Sequence, residues 1–223
     1  MRAPLVPIID ALHDAPDFTG EPAAHLLAAL AGEYPEKSVF LAVVDPGVGG
    51  RRDAIVVRAD GRTFVGPDNG LLSIVWQRAR RRRCFRIAWR PARLSPSFHG
   101  RDLFAPVAAG LARGRVPRGW LAAKARPGVL LDARDLPRII YVDHYGNAVT
   151  GVRAARISAS DELRLGKQVV PYARTFEQAG GFFWYANSIG LVEVAANKRS
   201  AARSLRLRVG SPVSVKRSRK GVN

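Results

Sequence analysis

The chain carries a single cysteine, Cys84, among 223 residues. One cysteine excludes a disulfide within the chain and a multi-cysteine zinc site. It fits a reducing compartment, and a cytoplasmic location is the expectation. No run of about 18 apolar residues occurs, so no transmembrane helix and no membrane partner are expected. The opening residues, Met1-Arg2-Ala3-Pro4-Leu5-Val6-Pro7, lack a long apolar core and read as neither signal nor transit peptide. Absent too are a Gly-x-Ser-x-Gly elbow, a Walker loop and a His-Glu-x-x-His pair. A serine nucleophile, a phosphate cradle and a helical zinc site therefore lack their usual marks. Acid is scarce: 18 Asp and Glu stand against 36 Lys and Arg, a formal net charge of +18. That balance fits a polyanion partner, nucleic acid or an anionic membrane face, or a plain preference for arginine.

What is present is ordinary globular material, 47% hydrophobic and 24% charged, near the soluble average. A chain of this length can bury roughly 70% of its unfolded surface, as one large domain or two small ones. Val6 to Ile9 is a short apolar run that predicts a buried strand. Ala23, Leu26, Leu27 and Leu30 recur at helical spacing between Pro22 and Ala31, with Gly32 as the stop. Val39 to Val44 reads as a buried strand ending at Asp45-Pro46-Gly47, and Ala54 to Arg58 as another. Leu71 to Arg82 and Phe104 to Arg113 read as helices. Strands alternating with helices predict an N-terminal α/β/α layered domain with a mostly parallel sheet, over 1–125. After a linker at 126–136 the texture changes. Ile139 to Asp143, Val169 to Tyr172, Gly190 to Ala195 and Leu205 to Val209 read as short strands split by turns. An all-β barrel or sandwich is expected over 137–223, ending in a frayed tail at Lys216–Lys220.

Several stretches carry chemistry, each with a plainer reading beside it. Asp45-Pro-Gly-Val-Gly-Gly-Arg-Arg52 lacks the third glycine of a dinucleotide fingerprint. It reads instead as a sharp turn at a strand's carboxyl end, where open α/β sheets place ligands, flanked by Asp45 and Arg52. Gly66-Pro-Asp-Asn-Gly70 is turn chemistry leading into a helix. Phe98-His-Gly-Arg-Asp102 sets His99 just before a helix. His13, Asp14 and His99 would make a metal site only if the fold gathered them, and no metal is expected. Val142-Asp-His-Tyr-Gly-Asn147 and Asn187-Ser-Ile-Gly-Leu-Val-Glu-Val-Ala195 are turns or a rim of polar groups. Arg80 to Arg83, with Arg86, Arg90 and Arg93, is a solvated helix end or, with Phe85 and Trp89 stacking on bases, a nucleic-acid surface.

Taken together and in order, these five stretches resemble the S-adenosylmethionine hydroxide adenosyltransferase family, relatives of bacterial fluorinase and chlorinase. The resemblance implies an N-terminal α/β/α domain and a C-terminal β-barrel. It also implies a homotrimer with each site between the N-terminal domain of one subunit and the C-terminal domain of the next. The reaction implied is attack of water on C5′ of S-adenosyl-L-methionine, giving adenosine and L-methionine without metal or other cofactor. By motif position the water-holding set falls on Asp45, Arg52 and His99. Substrate contacts fall on Asp68 and Asn69, on Asp143, Tyr145 and Asn147, and on Asn187, Ser188, Glu193 and Ala195.

One departure stands out. Family members begin with a strand ending in Thr-Asp-Phe-Gly and a helix before the segment matching Val6–Asp10, and this chain starts at that later segment. The aspartate expected to grip the ribose is therefore not found, and Asp17 lies in a different, loop-like segment. Two alternatives follow: an inactive truncated paralogue that binds nucleic acid through its arginines, or a halogenase. The second is disfavoured by the Asp-Arg-His set and by the lack of the halogenases' inserted loop.

Overall fold

The computed structural model describes residues 5–16 and 20–218. Met1–Pro4, Asp17, Arg219 and Lys220, which figure in the readings above, lie outside the described residues. Contacts divide the chain into two units, Met1–Ala133 and Arg134–Asn223.

In the first unit, α1 (Gly20–Leu30) opens with Glu21 and Pro22, both suited to a helix N-terminus, and buries Ala23, Ala24 and Leu26. Then come β1 (Val39–Leu41), β2 (Ala54–Ala59), β3 (Arg62–Pro67) and α2 (Ser73–Arg78). β4 (Arg82–Ile87), α3 (Ala105–Ala112) and β5 (Leu121–Lys124) complete the unit. The strands form one sheet in the order β1-β3-β2-β4-β5. On one face Leu71, Leu72 and Trp76 pack with Ala23 against Ile55, Val57 and Phe64. On the other, Leu103, Phe104 and Val107 pack against Val56, Val65 and Ile87. Helices thus cover both faces, and β2 between them is a nearly continuous apolar run.

The sheet is not mostly parallel. Only β1 and β3 pair in parallel; β2–β3, β2–β4 and β4–β5 are antiparallel. The cause is local. Asp60 and Gly61 have φ of 44° and 83° and join Ala59 to Arg62 as a two-residue hairpin, the geometry an Asp-Gly pair favours. The Asp60 carboxylate also accepts from the backbone N–H groups of Arg80 and Arg81, at 3.1 and 2.8 Å. Those bonds end α2 at Arg78 and turn the chain into β4, so Arg82 and Arg83 sit on a strand rather than a helix end. The aromatics of that stretch face inward: Phe85 lies under the Arg58 guanidinium, and Trp89 stacks on Trp120 with centroids 4.1 Å apart. Neither is a free platform for a base. Val6 to Ile9 forms no strand, and Ile8 is 88% exposed. An apolar run without a ladder partner has nothing to hold it extended.

The second unit holds β6 (Leu136–Val142), β7 (Ala148–Arg153), β8 (Glu162–Leu165) and β9 (Gln168–Val170). β10 (Phe182–Ala186), β11 (Leu191–Ala196), α4 (Ala201–Ser204) and β12 (Ser214–Lys216) follow. Two antiparallel sheets form, β10-β11-β7-β6 and β12-β8-β9, over one core of Ile139, Leu163, Val170, Trp184, Val192 and Val213. Among the described residues the two sheets are joined by isolated bridges, Arg138 with Pro212 and Tyr172 with Trp184, rather than by a continuous ladder, and do not close into a barrel. Pro212 and Pro171 sit at those seams and have no N–H to extend a ladder.

Leu205 to Val209, expected as a strand, is instead irregular: a turn at Leu205-Arg206 closes α4 just past Ser204, and a second turn begins at Val209. Leu207 N–H reaches Ala202 C=O at 2.8 Å, Arg206 N–H reaches Arg203 C=O at 3.3 Å, and Arg206 has φ of 55°. That is a Schellman closure. The tail is held through Ser218: Lys216 pairs in β12, and Arg217 reaches Asp161 at 2.7 Å. Among the described residues no helix is long and apolar enough to cross a membrane.

Candidate active site

Asp45 lies just past the carboxyl end of β1, on a loop folded by bonds from Val48 N–H to Asp45 C=O and from Gly50 N–H to Gly47 C=O. Gly49 has φ of 80°, and a Cβ there would stand 2.7 Å from the Pro96 carbonyl oxygen. Only glycine lets this loop approach the segment that leads to His99. His99 caps a wide π-type turn, Gly100–Phe104, that runs into α3. Such turns recur at functional sites because they re-aim a side chain.

These three elements bring Asp45, Arg52 and His99 together. Arg52 Nε donates to both Asp45 oxygens, at 3.1 and 3.0 Å, and Nη2 donates to Oδ2. The Arg52 and Asp45 side chains are 11% and 4% exposed, so the pair is largely desolvated. Phe104 lies beneath the guanidinium, 5.3 Å from ring centroid to carbon. Arg52 Nη2 also stands 2.9 Å from His99 Nδ1. A guanidinium has donors and no acceptor, so Nδ1 accepts and the neutral ring carries its proton on Nε2. Burial first, and the Arg52 charge second, hold the His99 pKa below its ordinary value. The arrangement offers a carboxylate as acceptor and an imidazole N–H as donor, locked together by one guanidinium.

Asp68 and Asn69 are drawn inward. The Asp68 carboxylate accepts from Gly128 N–H at 2.8 Å and lies 3.4 Å from Lys124 Nζ, which also holds Asp53 at 2.8 Å. Asn69 bonds Val44 C=O through Nδ2 and Leu71 N–H through Oδ1. Leu131 N–H reaches Ser73 Oγ and its carbonyl accepts from Gln77 Nε2, so the segment expected as a linker is tied to the first unit through Leu131.

In the second unit, Asp143 accepts from Asn147 N–H at 2.8 Å and Nδ2 at 2.9 Å, closing the turn between β6 and β7. Tyr145 at its tip is 70% exposed and its ring lies tilted against that of His144. Asn187 accepts from Ile189 and Leu191 N–H and donates to Glu193. Glu193, buried on β11, also accepts from Tyr185 O–H at 2.6 Å. Desolvation, then the Glu193 hydrogen bond, push the Tyr185 hydroxyl far up. The pairing of Glu193 with Val149 and of Val194 with Ala148 sets this cluster beside Asn147, with buried Ala195 next along. Ser188 is exposed at the turn. Tyr185 was missed in the sequence; its signal was period-two spacing from Phe183 on a strand opposite Glu193. An open cavity of roughly 450 Å³ is lined by Asp143, Tyr145, Ser200, Arg203 and Arg206, and the two arginines were also missed. His13 lies 3.2 Å from Asp10 at the surface, and among the described residues no group of three or more His, Cys, Asp or Glu side chains is placed to hold a metal ion.

Fold and site define a class: a two-unit α/β protein that sets an acid, a guanidinium and an imidazole at a strand's carboxyl end, suited to ordering a small nucleophile. Residues 1–119 match the SAM hydroxide adenosyltransferase N-terminal domain, and residues 137–214 match the C-terminal domain of the same name. An (R)-S-adenosyl-L-methionine hydrolase of Thermus thermophilus is 38% identical, over 95% of this chain and 89% of its own. Another of that name, from Salinispora arenicola, is 36% identical over 96% and 87%. The crystal structure of an uncharacterized conserved protein from Thermotoga maritima superposes with a TM-score of 0.84 at 28% identity, covering 96% of this chain and 90% of that one. The chain belongs to the SAM hydroxide adenosyltransferase family.

Proposed function

We propose that this protein hydrolyses S-adenosyl-L-methionine, water attacking C5′ to release adenosine and L-methionine. The observation that carries the reading is the convergence of Asp45, Arg52 and His99 from three separate parts of the chain. Water is a weak nucleophile and must shed a proton as it attacks. Asp45 is the acceptor for that proton, and His99 Nε2–H donates to the water oxygen, turning its other lone pair to the carbon. Arg52 holds both groups in register. As the O–C5′ bond forms, the C5′–S bond breaks and its electron pair stays on sulfur, which leaves as neutral methionine thioether. The proton passes from Asp45 to solvent, so the reaction balances without an oxidant or reductant. Opposite charges vanish in the transition state, a change that a dry site favours.

The two polar clusters of the second unit supply the binding side of this reading: Asp143, Tyr145 and Asn147, and Asn187, Ser188, Glu193 and Ala195. In the proposed assembly, a homotrimer, they complete the site of a neighbouring subunit. A monomer mass by sedimentation equilibrium in the presence of substrate would overturn that assembly. For the reaction itself, incubation with S-adenosyl-L-methionine in ¹⁸O water should place the label in the 5′-hydroxyl of adenosine. Unlabelled adenosine, or none, removes the reading.

A further inference from the structure

Asn69 sits between β3 and α2, and each end of its amide has a different partner. Oδ1 accepts from Leu71 N–H at 3.2 Å, an Asx-type turn that leads the chain into α2. Nδ2 donates to Val44 C=O at 2.8 Å, across 25 residues of sequence. Val44 immediately precedes Asp45. The ladder between β1 and β3 ends just before it, with Ala42 N–H on Val65 C=O at 3.0 Å. Beyond that bond the chain leaves the sheet, and the Asn69 amide takes over the hold. With both ends engaged inside the first unit, Asn69 is poorly placed to serve a ligand.

We infer that Asn69 is a positioning residue: its N–H fixes the backbone from which Asp45, and through it Arg52 and His99, are presented, while its carbonyl builds only the turn. This rests on the hydrolase reading for its catalytic consequence, and on the geometry alone for the rest. The two ends can be separated. Asn69→Asp keeps an acceptor for Leu71 and replaces the donor to Val44 with a repelling oxygen. Asn69→Ser keeps a hydroxyl for the turn and is too short to reach Val44.

The expected result for both is a folded protein, with a modest drop in thermal midpoint from the Val44 carbonyl left without its donor, and little change in affinity for S-adenosyl-L-methionine. kcat should fall by about 10²-fold, the usual cost of small misplacements in an active site. The NMR titration of the His99 ring should move back toward the ordinary value of about 6.5 as its contact with Arg52 loosens. A purely structural role would lower the thermal midpoint and leave that titration and kcat of the folded fraction unmoved, which overturns the inference. If the wild-type protein releases no adenosine, the hydrolase reading fails, and the His99 titration still decides the role of Asn69. Asn69→Ala, which removes both bonds, should add a loss of stability to the loss of kcat.

Discussion

The two polar sites are built on opposite plans. In the first unit, Arg52 lies 7 residues from Asp45 and 47 from His99 and ties the two together, leaving the carboxylate an acceptor and His99 Nε2 a donor to offer. In the second, Asp143 bonds Asn147 four residues on, Asn187 bonds Glu193 six residues on, and Tyr185 bonds Glu193 eight residues on across β10 and β11. The first constellation exists only when the unit is folded. The second is made largely of turns that the local chain can form by itself. A reacting centre needs groups fixed in three dimensions within fractions of an ångström. A binding rim tolerates local closure, provided its polar groups are aimed outward.

The largest effect that would break this contrast is at Asp45. Asp45→Ala leaves the Arg52 guanidinium buried without its carboxylate, a loss of about 3 kcal/mol or more for a desolvated pair. It also removes the proposed proton acceptor, so kcat should fall by about 10³-fold. Urea denaturation and single-turnover release of adenosine read the two losses separately. Wild-type turnover in a folded Asp45→Ala protein would end the assignment of that unit as the reacting one.

Much of the site was legible because Asp45, Arg52 and His99 each stand in a run of turn residues that stays recognisable as a motif. What was not legible followed from distance. The bond from Asn69 to Val44 spans 25 residues, and nothing in Gly66-Pro-Asp-Asn-Gly70 distinguishes an amide that braces a neighbouring loop from one that meets a ligand. The sheet was misread for a different reason. Asp60-Gly61 is a strong hairpin signal, but helices on either side of a run of strands suggested crossovers, and so a parallel sheet. The hairpin wins because its turn geometry is local: Asp60 and Gly61 take the positive φ angles that a two-residue connection needs, which leaves no chain for a crossover. Val6 to Ile9 failed in the other direction: apolar content alone does not make a strand where no neighbour offers a ladder.

A smaller change sharpens the contrast from the binding side. Glu193→Gln replaces one acceptor oxygen by an NH₂ group, leaving either Tyr185 O–H or Asn187 Nδ2 without a partner in a buried setting. The loss should be about 1–3 kcal/mol in stability. Because these groups belong to the proposed rim, KM should rise by about tenfold while kcat changes little, the pattern of an interaction made equally in ground and transition states. A fall in kcat with unchanged KM would move Glu193 to the reacting side and dissolve the division between the two units.

The smallest expected effect is in pH, and around the ordinary histidine value of about 6.5 it should arise in the first unit. His99 is held neutral by burial first and by Arg52 second, with Arg90 adding to both and the Asp45 and Asp102 charges opposing them. Its folded pKa therefore lies below the value of about 6.5 it takes when unfolded. Between those two values the unfolded chain binds a proton that the folded chain does not, so stability rises with pH across that window. Stability is thus fully present above about pH 6.5 and drains away as pH falls through the folded pKa. Activity should follow the same path, since a proton on Nδ1 displaces the Arg52 donor and frees the ring. Tyr185 in the second unit is pushed up by its burial, away from this range, and contributes no slope there. Urea midpoints measured from about pH 5 to 8 should show the slope in wild type. The slope near about pH 6.5 should flatten in His99→Asn, whose amide oxygen can still accept from Arg52 but does not titrate, while the carboxylates held low at Asp161 and Glu162 keep their share at the acid end. An unchanged slope in that variant would place the titrating group elsewhere and leave the two sites indistinguishable in their response to acid.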